Sequence, residues 1–99
     1  MSDFNNREKW ISQKLEVWTE FRKLTNLFYS TSKQFPKEEQ FGLTNQMRRS
    51  SVSIPSNIAE GCGRQSSKET IHFLYIEKGS LFELETQIYI ALDQNYIIK

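Results

Sequence analysis

The chain has 99 residues, with 13 Lys and Arg against 12 Asp and Glu, and a net charge of +1. That length suits one domain, 1–99, with a modest core, and 4 glycines with 2 prolines favour long helices over turn-rich β architecture. So balanced a charge excludes a globally basic nucleic-acid binder, and any phosphate contact must come from a local patch.

No run approaches the ~20 apolar residues of a membrane span. The opening MSDFNNREKW lacks the apolar core of a signal peptide, and the single Cys62 has no internal partner for a disulfide. The expected setting is the reducing cytoplasm, with no membrane association.

The first helix is expected over about 12–33, or from an earlier start. Val17, Phe21, Leu24 and Phe28 recur at helical spacing and form one apolar stripe, flanked by Trp18 and Tyr29. With an early start Trp10 joins that face, and Asn5 with Glu8 can form a capping box. Pro36 then breaks the chain, because the residue before a proline is pushed out of helical geometry.

The second helix is expected over about 38–60. Leu43, Met47, Ser50, Ser51, Ile54 and Ile58 make its inward stripe, and Gln46, Arg49, Ser53, Asn57, Glu60 and Arg64 make a polar one. The inward repeat continues through Pro55, so the reading is one helix kinked at that proline. Ser50, Ser51, Ser53, Ser56, Gly79 and Ser80 are small enough to let backbones approach closely around it. Gly61 or Gly63 is expected to end the helix in left-handed geometry.

The third helix is expected over 67–93, with Ser66 as N-cap and Glu69 as its capping-box partner. Phe73, Leu74, Leu81, Leu84, Ile88, Ala91 and Leu92 share one broad face. Ile71, Tyr75, Phe82 and Tyr89 form a second face, roughly 80–100° away. Two apolar faces require two partners, so the second set is the candidate oligomer interface.

No catalytic constellation emerges. Glu69 and His72 have the Glu-x-x-His spacing of di-metal carboxylate sites, but such a site needs a second copy and His72 is the only histidine. GCGRQS follows a helix instead of a strand, so it is not a dinucleotide loop. Cys62 has no base beside it in sequence. No enzyme, metal or cofactor is expected. From Arg48 to Lys68 the chain carries four cations, Arg48, Arg49, Arg64 and Lys68, against the single acid Glu60. These four are the candidate nucleic-acid-binding residues. Glu77 falls within the main apolar face of the third helix, where a carboxylate needs a partner, and Arg48 or Arg49 is the candidate for a buried ion pair.

The blocks FPKEEQFGLTNQMRRSSVSIPSNIAEGCGR and FLYIEKGSLFELETQI, with SIPSNIAEG and GSLxELETQ at their centres, resemble the bacterial four-helix-bundle family named for 23S ribosomal RNA intervening sequences. The likeness covers about residues 15–96 and extends to the accessory variability protein of diversity-generating retroelements. It implies an all-α, antiparallel up-down bundle assembled as a homo-oligomer, typically a homopentamer, with no enzymatic activity. For the retroelement relative it implies partners in a reverse transcriptase and in nucleic acid. Two departures stand out. The chain stops at NYIIK, about where the fourth helix of the family should begin, and Glu77 and Lys78 stand where small or apolar residues are usual. The expected function is a non-enzymatic oligomeric scaffold that binds RNA or DNA through the Arg48–Lys68 patch. The alternative is a protein–protein interaction module that binds no nucleic acid.

Overall fold

The computed structural model describes residues 2–97, with side-chain surroundings described for Lys9 and from Ser12 onward. It is all helical: α1 spans Ser2–Ser32, a 3-10 turn spans Lys37–Glu39, α2 spans Leu43–Cys62 and α3 spans Ser67–Asp93. No strand occurs among the described residues. The envelope is elongated, 55 × 21 × 18 Å.

α1 begins at Ser2, which places Asn5 and Glu8 inside the helix instead of at its cap. Their side chains, and that of Trp10, lie outside the described residues. α2 begins at Leu43, later than the expected residue 38, because Pro36 leads into the 3-10 turn first. Glu39 closes that turn: its Oε1 accepts the Leu43 N–H at 3.2 Å, supplying the N-terminal acceptor that Gly42 has no side chain to provide. A Cβ at position 42 would stand 2.8 Å from the same Glu39 oxygen, so a side chain there would displace the carboxylate that caps α2.

α2 runs through Pro55 without a break. Proline has no N–H to return to the carbonyl four residues back, which leaves the Ser51 oxygen without its helical partner. Thr25 of α1 fills the vacancy, its hydroxyl reaching the Ser51 carbonyl at 2.8 Å and that of Phe21 at 2.9 Å. The proline thus exposes an acceptor, and the first helix uses it.

The end of α2 corrects an expectation. Among the described residues no glycine has positive φ, and Gly63 caps α2 at φ −81, ψ −6. Three-residue bonds tighten the last turn instead, from Gly63 N–H to Glu60 and from Arg64 N–H to Gly61. Gly61 eases a close approach of the two helices: a Cβ there would sit 3.3 Å from the Phe73 Cβ of α3, a tight contact. Left-handed geometry appears after α3, at Asn95 with φ 63. There Tyr96 N–H reaches the Ala91 carbonyl and Asn95 N–H that of Leu92, a Schellman ending. It turns Tyr96 back onto the bundle, where its ring lies 5.4 Å from Phe35 and its hydroxyl donates to Glu39 Oε2 at 2.9 Å.

Cross-helix contacts fix the directions. Gly61 meets Thr70, Ser53 meets Ser80 and Ser50 meets Glu83, so α3 rises as α2 descends. Thr25 with Ser51 and Ser32 with Arg48 give α1 and α2 the same antiparallel sense. α2 is the shared element: among the described residues no Cα of α1 comes within 8 Å of one in α3. Among the described residues the buried core is Phe35, Leu43, Met47, Ile54, Ile58, Leu84 and Ala91, and α1 adds half-buried Trp18, Phe21 and Phe28 to it. Val17, expected in the stripe of α1, is exposed, and Trp18 turns inward in its place. Gly79, expected at a close approach, faces open space.

Candidate functional site

The four candidate cations do not form one patch. Arg48 turns toward α1, donating to Ser32 Oγ at 2.9 Å and to the Tyr29 carbonyl at 3.3 Å, with its guanidinium 4.8 Å from the Tyr29 ring centre. Arg49, one residue on and therefore about 100° around the helix, lines the groove between α2 and α3. Arg64 lies 15 positions beyond Arg49, a span of roughly 22 Å at helical rise. It pairs with Glu60 at 2.9 Å and covers the Phe73 ring at 4.7 Å. Lys68 shares a concavity with Arg64, Ser66, Glu69 and His72 at the start of α3. Ser66 caps that helix as expected, its hydroxyl accepting the Glu69 N–H at 3.2 Å. Only Arg64 and Lys68 are brought together.

The second apolar face is fully presented. Ile71, Tyr75, Phe82 and Tyr89 are 51%, 70%, 58% and 61% exposed. Sequence reasoning passed over other apolar side chains in the open, chiefly Leu15 and Leu27 on α1 and Phe41 before α2.

A polar groove between α2 and α3 also went unrecognised as a unit. Its α2 wall, Gln46, Arg49 and Ser53, is the polar stripe seen in the sequence, and its α3 wall is Ser80, Glu83 and Gln87. The signal was available, since positions 80, 83 and 87 keep the same helical spacing. Ser53 and Ser80 are hydrogen-bonded at 2.8 Å, and Asn57 Nδ2 donates to Ser53 Oγ at 2.9 Å.

A family model described as 23S rRNA-intervening sequence protein matches residues 13–99. The chain belongs to this family. No curated protein matches it.

The expected ion pair is corrected by the geometry. Arg48 is committed to α1, Arg49 faces the α2–α3 groove, and no ion pair joins either to Glu77 among the described residues. Glu77 is half-buried and feels the Lys14 ammonium of α1 instead. Burial pushes its carboxyl above the usual carboxylate range, and Lys14 offsets part of that rise. The folded state therefore holds this proton more tightly than the unfolded chain, so stability falls as pH climbs from the ordinary carboxylate pKa through the raised one. Glu77→Gln is expected to stabilise the protein at neutral pH and to lose that advantage below about pH 4. Urea midpoints of parent and variant at the two pH values check this; an equal gain at both would assign the effect to packing.

Among the described residues no three His, Cys, Asp or Glu side chains gather as metal ligands. His72 is exposed and meets the Phe73 ring edge-on at 5.7 Å, and Cys62 is an exposed free thiol. No described helix is long and apolar enough to cross a membrane.

Proposed function

We propose that the protein is a non-enzymatic helical scaffold that acts by assembly, joining copies of itself along the outer face of α3. One observation carries the reading: the exposure of Ile71, Tyr75, Phe82 and Tyr89 on a single helix. Tyr75, Phe82 and Tyr89 recur every seventh residue, the spacing at which one helix keeps a seam against another. Fully burying such side chains is worth roughly 1.5–3 kcal/mol each before the cost of association. The homopentamer implied by the resemblance is the stoichiometry to test, and the reducing cytoplasm is the setting that suits the free thiol.

Light scattering after size exclusion is the test. The parent should run at a multiple of its 11.7 kDa chain mass, and a Tyr75→Glu, Phe82→Glu double variant should run as a folded monomer. A parent that is a folded monomer at micromolar concentration would end the reading.

Nucleic-acid binding is a second reading, and the shared position of Arg64 and Lys68 at the start of α3 favours it. With cations divided among three places, an oligomer gains phosphate affinity by repeating each of them around the assembly. Binding of a mixed RNA pool should then be weakly sequence-specific, with each neutralised phosphate adding about 0.7–0.9 to the salt slope. An Arg64→Ala, Lys68→Ala variant with the parent's affinity and slope would remove these two residues from the site.

A further inference from the structure

The groove between α2 and α3 carries features that neither assembly nor phosphate binding explains. Gln87, in its floor, is 8% exposed, and its Oε1 is buried without a hydrogen-bond partner. An acceptor removed from water and left unpaired is costly, so such atoms usually have a partner. Above it stand two opposite charges, Arg49 on α2 and Glu83 on α3, which line the same groove yet make no ion pair within 4.0 Å. Glu83 has only a 3.4 Å hydrogen bond from Ser50, and the Arg49 guanidinium has no partner among the described residues. The space between the walls is about 390 Å³. That is far more than one water requires, so the groove has room for a polyatomic molecule.

From these features we infer that the groove binds a small zwitterion of the α-amino-acid class, one carrying an ammonium and a carboxylate on the same carbon. The carboxylate faces the Arg49 fork, which is shaped for two-point contact with such a group. The ammonium faces Glu83 and the Ser80 hydroxyl. Its remaining hydrogen goes to Gln87, whose amide turns about a soft terminal torsion to present Oε1. A phosphate fits less well, because Glu83 repels it. A nucleobase fits less well too, since the groove has no aromatic wall to stack on.

The test uses the full chain without nucleic acid. Common α-amino acids, each at about 10 mM, are screened by thermal shift, and any hit is titrated by calorimetry beside its N-acetyl and carboxamide derivatives. At least one amino acid should raise the melting temperature saturably, and loss of either charge from the ligand should weaken binding about tenfold or more. Arg49→Gln, Glu83→Gln and Gln87→Leu should each weaken it to a similar degree. The first two alter exposed side chains, so the test stands even where Gln87→Leu fails to fold. No binding by the parent, equal binding of the derivatives, or unchanged affinity in Arg49→Gln and Glu83→Gln would overturn the inference. If those two variants change only oligomer mass or only RNA affinity, the groove belongs to a second copy or to phosphate, and the zwitterion site is equally overturned.

Discussion

Replacing Thr25 by valine is expected to destabilise the protein by about 1–3 kcal/mol, and to cost much less when Pro55 is already alanine. The shape of the side chain is nearly kept, so the loss comes from the hydroxyl. That hydroxyl has one hydrogen and two carbonyls within reach, Phe21 at 2.9 Å and Ser51 at 2.8 Å. Phe21 retains its own helical partner, as in any helix where threonine bonds back one turn. Ser51 does not, because the residue four positions on is Pro55, and valine would leave its oxygen buried and bare. Alanine at 55 restores an N–H aimed at that oxygen, so the same Thr25→Val change removes a bond the carbonyl no longer needs. The coupling in the double-mutant cycle should lie near 1 kcal/mol or above. Urea denaturation at one fixed protein concentration measures all four species. Equal costs of Thr25→Val in both backgrounds would show that the Ser51 carbonyl is not what Thr25 supports.

Ile54→Ala should have the largest effect of any single truncation, about 2–5 kcal/mol. Ile54 is 0% exposed, one turn of α2 from both Ser50 and Ile58, and its helix is the one that packs against both others. A cavity there opens the buried cluster at the heart of the shared helix. Val17→Ala on α1 is the matched control: the side chain is exposed, and the change should stay within about 0.5 kcal/mol. Chemical denaturation of the two variants tests the pair. A small loss for Ile54→Ala, with the denaturant slope unchanged, would mean that the core collapses around the missing atoms.

The inward stripe of α2 was readable because every member obeys the helical repeat, and Leu43, Met47, Ile54 and Ile58 are all buried. The start of α3 was equally readable, since Ser66 and Glu69 announce a cap by chemistry local to four residues. What failed depended on neighbours distant in sequence. Val17 fits the apolar repeat of α1 as well as Trp18 does, and only the position of α2 decides which one turns inward. Glu77 was assigned an arginine because the alternative, Lys14, lies on a helix 63 positions away. Glycines 61 and 63 looked like left-handed caps, but 61 serves the approach of Phe73, and Asn95 takes the left-handed role at another helix end. The polar groove was half visible, because a stripe on one helix does not say which stripe will face it.

The position of α2 as the helix packed against both others has a kinetic side. Most tertiary contacts lie within one of two neighbouring hairpins, and chains dominated by such short-range contacts fold quickly. Each hairpin can form on its own timescale, but both need α2, so its amides should exchange with deuterium only when the whole molecule opens. Those of α1, which among the described residues anchors no fully buried apolar side chain, should exchange through smaller and more frequent openings. The molecule would then lose its first helix before its last two, with Tyr96 and Glu39 still holding the far end of the α2–α3 pair closed.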